Sequence, residues 1–176
     1  MIELIKTEIK DVLLLRPNIY TDKRGYFLES YNKDLLMSKS LNFSFIQDNE
    51  SKSDFGVLRG IHFQKSPFEQ SKLIRVVIGK IQDVVIDLRP SSSTYRQYIS
   101  FILDDKKKEQ LIIPKGFGHA FLVLSKYAIV LYKTDSFYNI ESESGIKYDD
   151  PTININWELN KNEITLSDKD SQLPYL

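Results

Sequence analysis

The 176-residue chain contains no cysteine, only two histidines, and equal numbers of basic and acidic residues, 24 of each. The missing cysteines exclude disulfides and zinc sites built from thiolates. The balanced charge gives no overall field to attract nucleic acid or an anionic membrane. The N-terminal segment has only Val-Leu-Leu-Leu at 12–15 as an apolar run, too short for a signal-peptide core or a membrane span. We therefore expect a cytoplasmic protein that binds neither nucleic acid nor membrane.

The length and the apolar pattern predict one mainly β domain over residues 1–176. A chain of this size can build one proper core but not two comfortable ones. A helix is predicted over 32–41, and no repeat of fixed period is present. Runs rich in Val, Ile and Leu predict short strands. Many short strands in one domain favour a sandwich or a barrel, of which the jelly roll is one form. These strands lie at 72–78, 81–87, 98–103, 110–114, 119–124 and 128–132.

Two turns predict which side chains share a face. Gly79-Lys80 has the form of a two-residue hairpin turn, which would pair Val76 with Asp83 and Lys72 with Asp87. Alternation then places these charged groups on an apolar face, where an ordinary ion pair is as good an explanation as a functional one.

A second hairpin is predicted around Ser125-Lys126. An even-length loop there would set His119 directly opposite Tyr132, on a face that otherwise carries aliphatic and aromatic residues. A hydrogen-bonded core pair would explain this arrangement, and so would a site in which burial perturbs the pKa of each group.

The stretch GVLRGIHFQ, residues 56–64, carries Arg59 and His62 in a strand-like run. A buried histidine needs hydrogen-bond partners, so its presence requires either a packing role or a chemical one. In an uninterrupted strand these two side chains would face opposite sides. Both can line one site only if the chain bends or bulges near Gly60.

The chemistry-bearing residues favour a metal-free site for proton transfer. Two histidines far apart, with Gln64 where a further ligand would be needed beside His62, make a poor transition-metal site. No nucleophile elbow and no phosphate-binding glycine loop occurs in the sequence. What remains is a set of His, Tyr, Lys, Asp and Arg residues suited to moving protons on an anionic substrate.

Six segments, in order, resemble the dTDP-4-dehydrorhamnose 3,5-epimerase family. They are DKRGYFLE (22–29), FIQDNESKSDFGVLRGIHFQ (45–64), QSKLIRVVIGKIQDVVIDLR (70–89), IPKGFGHAFLVLS (113–125), YKTDSFYNIESESGIKYDDP (132–151) and LSDKD (166–170). The resemblance implies a cupin-type jelly-roll fold and a homodimer. It also implies an enzyme that needs no cofactor and no metal and acts on a nucleotide-linked 4-keto-6-deoxy sugar.

The same resemblance implies a role for each candidate site residue. The histidine of RGxHxQ, here His62, is the base, and the aspartate that ends LSxKD, here Asp170, pairs with it. Tyr132 is the acid, and Lys72 stabilises negative charge on the C4 oxygen. The implied substrate-binding residues are Arg24, Glu29, Gln47, Asn49, Arg59, His119, Tyr138, Glu143 and Lys169.

Several alternatives stay open at this stage. The nucleotide could be dTDP or GDP, the sugar a hexose or a heptose, and the product a precursor of a surface polysaccharide. Inversion could be confined to C3, or the scaffold could serve a 3,4-ketoisomerase. A non-catalytic module that binds nucleotide sugars is the alternative from another functional class.

Overall fold

The computed structural model describes residues 2–176, and two β-sheets packed face to face dominate this part of the chain. The strands are β1 Ile2–Lys6, β2 Leu13–Pro17, β3 Tyr20–Asp22, β4 Gly25–Phe27, β5 Gln47–Asp54, β6 Leu58–Gln64, β7 Lys72–Ile78, β8 Lys80–Asp87, β9 Tyr98–Asp104, β10 Gln110–Ile113, β11 Phe117–Val123, β12 Tyr127–Thr134 and β13 Glu143–Gly145. The helices are α1 Lys33–Ser38 and α2 Asp168–Ser171, with single 3₁₀ turns at Ile140–Ser142 and Lys161–Glu163.

The order of strands in each sheet is that of an antiparallel sandwich. The first sheet runs β1-β2-β10-β7-β12-β5 and the second runs β13-β6-β11-β8-β9, while β3 and β4 form a separate hairpin. The inward faces of both sheets supply one core, which includes Ile74 and Val76 from one sheet and Ile81, Val85 and Phe121 from the other. The predicted jelly-roll class and the predicted strands are thereby confirmed.

Non-strand segments cover part of the outer face of each sheet, so the central strands β8, β10 and β11 are buried on both sides. Leu73 and Ile112 of the first sheet pack with Leu36 of α1. Ile86 and Ala120 of the second sheet pack with residues of the 146–157 segment, including Trp157. This double coverage explains why the strands read as continuous apolar runs.

The predicted helix is present but shorter than 32–41. The Asn32 side chain accepts a hydrogen bond from the backbone N–H of Leu35, which caps the first turn of α1. Leu36 is the buried residue of this helix. No helix within residues 2–176 has the length and hydropathy to span a bilayer.

The hairpin predicted at Gly79-Lys80 is wrong. β7 belongs to the first sheet and β8 to the second, so the chain crosses between sheets at Gly79, which has a φ of +89°. Asp83 lies opposite Phe121 of β11, and not opposite Val76. The predicted pairing of Lys72 with Asp87 is also wrong, because Lys72 lies opposite Ile113 and Asp87 lies opposite Phe117. Asp87 instead binds the Arg89 guanidinium at 2.8 Å.

The hairpin predicted around Ser125 is wrong for the same reason. β11 lies in the second sheet and β12 in the first, so His119 and Tyr132 are not cross-strand partners. They face one cavity from opposite sheets. The alternation of side chains predicts correctly that both residues face the interior, but it does not predict which strands pair with β11 and β12.

The predicted irregularity at Gly60 is confirmed. On β6, Arg59 and His62 are three positions apart, but their partners Phe121 and His119 on β11 are only two apart. This extra residue is a β-bulge, and Gly60 takes a φ of +120° within it. As a result Arg59 and His62 both line the same cavity.

Gly60→Ala should destabilise the fold strongly. A Cβ atom at this position would lie 2.6 Å from both the His119 carbonyl oxygen and the Ala120 Cβ, in a backbone conformation that L-residues rarely adopt. We expect a loss of about 3 kcal/mol or more in the free energy of unfolding, measured by urea denaturation. Gly25→Ala is the matched control, because Gly25 has a similar φ of +124° but no atom within 4 Å of the added Cβ. A loss of equal size in both variants would contradict a role for the close approach.

Candidate active site

A cavity of about 420 Å³ lies between the two sheets. β6 and β11 form one wall, β5, β7 and β12 form the other, and the segment before and within α2 closes one side. The residues around it are Ser51, Val57, Leu58, Arg59, His62, Lys72, His119, Phe121, Val130, Tyr132, Thr165, Leu166, Ser167, Lys169 and Asp170.

His62 and Asp170 form a hydrogen-bonded pair on the β6 wall. The His62 Nε2 atom lies 2.7 Å from the Asp170 Oδ1 atom, and the Gly60 backbone N–H donates to Asp170 Oδ2 at 3.4 Å. Burial raises the pKa of Asp170, but the hydrogen bond and charge of His62, together with hydrogen bonds from Gly60 and Ser167, outweigh it, so the net pKa lies below its ordinary value. With Nε2 protonated toward this carboxylate, the His62 Nδ1 atom carries the lone pair.

The C-terminal segment brings Asp170 to the cavity by following β6. Thr165 pairs in parallel with Val57, its carbonyl accepts from the Leu58 N–H at 2.9 Å, and its own N–H donates to the Gly56 carbonyl at 2.8 Å. Ser167 then caps α2 by accepting from the Asp170 backbone N–H. The cap fixes the first turn of this short helix, on which Asp170 lies.

Lys72, Asp83 and His119 form a second polar group in the interior. Both carboxylate oxygens of the fully buried Asp83 lie within 3.1 Å of the His119 Nε2 atom. Burial lowers the pKa of Lys72 to about 8, and the charges of Asp83 and Glu143 limit the fall. Lys72 is therefore a cation in an environment that penalises its charge.

Tyr132 and Arg59 approach the cavity from different sheets. Burial raises the pKa of the Tyr132 phenol, and the positive charge of Arg59 opposes that rise. The Arg59 Nε atom donates to the Ser53 hydroxyl at 2.9 Å, which anchors the guanidinium beside the cavity. Tyr132 thus faces the His62–Asp170 pair across the sandwich as a protonated phenol at neutral pH.

Three further predicted residues form a chain at the rim. The Tyr138 hydroxyl donates to Glu143 Oε2 at 2.7 Å, and Glu143 also forms a salt bridge with Lys169. Burial raises the pKa of Glu143, but its bonds to Lys169 and Tyr138 outweigh that effect and leave the pKa below its ordinary value. Lys169 also lines the cavity, so this chain joins the rim to the interior.

Besides Tyr138 and Glu143 at the rim, four predicted substrate-binding residues lie outside the cavity lining. Arg24 is on the exposed β3–β4 hairpin, where it pairs with Asp22, and Glu29 follows β4. Gln47 and Asn49 are on β5, where the Gln47 Nε2 atom donates to the Asn49 side chain at 2.8 Å. The chain by itself does not bring these four residues to the cavity.

The predicted site residues did not include Ser51, which lines the cavity, or Ser53 and Gln64, which hydrogen-bond residues beside it. Gln64 joins two loops, since its side chain donates to the Phe68 carbonyl at 2.8 Å and accepts from the Asn139 N–H at 2.7 Å. The alternation of side chains along β5 could have identified the two serines, because it places Ser51 and Ser53 on the same face as Asn49, which was predicted to bind substrate.

His62 and His119 are neighbours on adjacent strands, but each imidazole contacts its own carboxylate. Within residues 2–176 no cluster of three or more His, Cys, Asp or Glu side chains has the arrangement of a metal site. The cofactor-independent chemistry inferred from the sequence stays a prediction.

Comparison with known proteins identifies the family. The sequence model described as dTDP-4-dehydrorhamnose 3,5-epimerase matches residues 6–176. The chain belongs to this family. The predicted membership is thereby confirmed, as is the predicted class of enzyme, an isomerase that acts on nucleotide sugars.

Individual members of the epimerase family agree with this assignment. The dTDP-4-dehydrorhamnose 3,5-epimerase of Shigella flexneri is 46% identical over 94% of this chain and 91% of its own length. The crystal structure of the Bacillus anthracis enzyme with TDP and PPi bound is 43% identical, with a TM-score of 0.96 over 100% of both chains. The Legionella pneumophila enzyme, in complex with dTDP-4-keto-L-rhamnose, is 40% identical, with a TM-score of 0.95 over 99% of this chain and 93% of its own.

Removing the His62 imidazole should raise the pKa of Asp170. In His62→Asn, burial would act on the carboxyl without the hydrogen bond and charge that now oppose it. Carbon-13 NMR of the carboxyl as a function of pH measures this change, with His119→Asn as the control. In the native protein the depressed pKa gives stability that is present above the unfolded pKa and lost as the pH falls through the folded one. An unchanged Asp170 pKa in His62→Asn would contradict the assignment.

Proposed function

We propose that this epimerase inverts C3 and C5 of dTDP-4-dehydrorhamnose-type sugars, for surface polysaccharide precursors made in the cytoplasm. The observation that carries the proposal is the placement of the His62–Asp170 pair on one wall of the cavity and Tyr132 on the other. Inversion requires a base on one face of the sugar ring and an acid on the opposite face. Residues on two facing sheets meet that requirement.

His62 acts as the base in the first step. The hydrogens at C3 and C5 are acidic because both carbons flank the C4 ketone. The Nδ1 lone pair of His62 takes the proton, and the electrons of the broken C–H bond move toward the C4 oxygen to form an enolate. Asp170 holds the ring orientation through Nε2 and stabilises the positive charge that develops on the imidazole.

Lys72 stabilises the enolate. Its ammonium group lies in a poorly solvated cavity, where attraction to a developing oxyanion is stronger than in water. His119, held by Asp83, lines the cavity beside it. Because its pKa is about 8, Lys72 keeps its proton at neutral pH and can serve as an electrostatic partner.

Tyr132 completes the inversion from the opposite wall. Its phenol gives a proton to the carbon on the face that His62 does not reach, and the enolate returns to the ketone. The raised pKa of Tyr132 keeps the phenol protonated until this step. The phenolate then regains a proton from solvent, and the His62 imidazolium releases one, so the site is reset for the second carbon.

The diphosphate and the nucleotide bind toward the polar rim. Arg59 can bind phosphate oxygens through its fixed array of donors, and Lys169 adds a second positive charge at the cavity. Tyr138 is half exposed at this rim and offers a ring on which a base can stack. The relatives named above favour dTDP; a GDP-linked hexose or heptose is the second candidate.

We also propose a homodimer in which the β3–β4 hairpin of one chain completes the site of the other. The hairpin exposes 57% of Tyr20, 57% of Tyr26 and 68% of Phe27, an aromatic surface that favours contact with another protein surface. Arg24 and Glu29 lie on or beside this hairpin and away from their own cavity. Exchange of hairpins would give both residues a substrate to bind.

Incubation with dTDP-4-keto-6-deoxyglucose in deuterated water tests the reaction. We expect NMR to show deuterium at both C3 and C5. Label at C3 alone would indicate a C3 epimerase, and migration of the carbonyl group would indicate a 3,4-ketoisomerase. Normal substrate binding without any label would leave only a non-catalytic binding module. His62→Asn should reduce exchange about 10²–10⁴-fold, and the GDP-linked sugar tests the alternative nucleotide.

Tyr132→Phe should separate proton removal from inversion. Without the phenol, His62 can still remove a proton and return a solvent-derived one to the same face. Exchange at the first carbon should therefore survive, while formation of inverted product should fall about 10²–10⁴-fold. Both quantities can be read from the same NMR time course. Equal loss of exchange and inversion would contradict the assignment of Tyr132 as the acid.

Hybrid dimers test the exchanged hairpins. Arg24→Ala and His62→Asn should each be nearly inactive alone. When the two variants are mixed, unfolded and refolded together, part of the activity should return. In such a hybrid, one site combines a native His62 with a native Arg24 from the other chain. No restoration would mean that both residues act within one chain, and a mass of 20.5 kDa by light scattering would show a monomer.

A further inference from the structure

The inward-facing side of β5 is polar along its whole length, and its residue Ser51 lines the cavity. Gln47, Asn49, Ser51 and Ser53 alternate with exposed residues and turn toward the interior, although β12 offers an apolar neighbour to two of them. Their register partners on β12 are Thr134, Tyr132, Val130 and Ala128, in that order. A strand that contributed only packing would carry aliphatic side chains at these positions.

Three of these four side chains have hydrogen-bond partners. Gln47 donates to Asn49, Asn49 donates to the Tyr132 carbonyl at 3.5 Å, and Ser53 accepts from Arg59. The Ser51 hydroxyl is shielded from solvent, and no group within residues 2–176 offers it a hydrogen bond. A shielded hydroxyl without a partner is unfavourable, so a bound ligand that supplies one would be favoured.

The register places Ser51 between two residues with proposed roles at different parts of the substrate. Tyr132, opposite Asn49, marks the carbons that are inverted. Arg59, bound to Ser53, marks the diphosphate. In a nucleotide-linked hexose, the ring carbon between the inverted C3 and the anomeric carbon that carries the diphosphate is C2. With the inverted carbons at Tyr132 and the diphosphate at Arg59, the C2 hydroxyl would lie against Ser51, which lines the cavity between them.

We propose that Ser51 hydrogen-bonds the C2 hydroxyl of the sugar and makes the enzyme selective for 2-hydroxy over 2-deoxy substrates. This inference rests on the proposed epimerase function. A serine hydroxyl both donates and accepts, and it can turn toward the cavity by rotation about one bond. Selection by a hydrogen-bonding site is effective, because an analogue without the hydroxyl leaves the serine unpaired.

The test compares two substrates on two proteins. The substrates are dTDP-4-keto-6-deoxyglucose and its 2-deoxy analogue, and the proteins are native and Ser51→Ala. We expect the native enzyme to use the 2-deoxy sugar about tenfold less efficiently in kcat/KM. Ser51→Ala should lose about tenfold on the 2-hydroxy sugar and change less than about twofold on the 2-deoxy sugar.

A purely structural role for Ser51 would give a different result. Loss of stability, or a role in orienting Tyr132, would lower kcat/KM equally for both sugars and overturn the proposal, as would no loss on either. Glu50→Gln is the matched control, since Glu50 is the next residue on β5 and faces solvent. It should leave both values unchanged.

Calorimetry keeps this inference separate from the proposed reaction. Dissociation constants for the same four combinations, each measured in a His62→Asn background that blocks turnover, report the contact alone. Absence of deuterium exchange by the native protein would refute the epimerase function, while a preference for the 2-hydroxy sugar that disappears in Ser51→Ala would still support the contact. Exchange at C3 and C5 without any such preference would refute the Ser51 proposal alone.

Discussion

The bond between His62 and Asp170 joins residues that are 108 positions apart, and the geometry of the cavity depends on it. It requires the bulge at Gly60, which turns His62 to the same side as Arg59. It also requires the C-terminal segment to run along β6 through Thr165, so that α2 begins at the cavity wall. A carboxylate in this position would be costly without the imidazole, because burial alone raises its pKa.

The interior accommodates charge by giving its buried carboxylates hydrogen-bonding or charged partners. Asp83 contacts His119, Asp170 contacts His62, and Asp87 lies among Arg89, Ser92 and Thr94. Lys72 differs from these carboxylates, because no group within residues 2–176 forms a close ion pair with it, and burial lowers its pKa despite the nearby charges of Asp83 and Glu143. That difference is what the proposed chemistry needs, since a lysine already paired would stabilise a developing oxyanion less effectively.

The sequence predicted which side chains face the interior, but it did not predict which strands pair with each other. Alternation with a period of two placed Lys72, His119 and Tyr132 on inward faces, and the structure has them there. The same period says nothing about which strand lies alongside, so the turns at Gly79 and Ser125 were interpreted as hairpins although the chain crosses between sheets there. The site roles came from resemblance to a family, because no local rule relates position 62 to position 170. Ser51 was missed because a serine among exposed polar residues resembles an ordinary edge strand.

Crossing between sheets also shapes how the protein must fold. Of the strand pairs in the two sheets and the hairpin, β1–β2, β3–β4 and β8–β9 are consecutive in the chain, and the others join strands from distant regions. Loop closure on that scale carries an entropic cost before the pairing can compensate, so we expect the protein to fold slowly. His62 gains its carboxylate only when the segment that carries α2 docks along β6, so the proton-transfer pair depends on contacts between opposite ends of the chain's core.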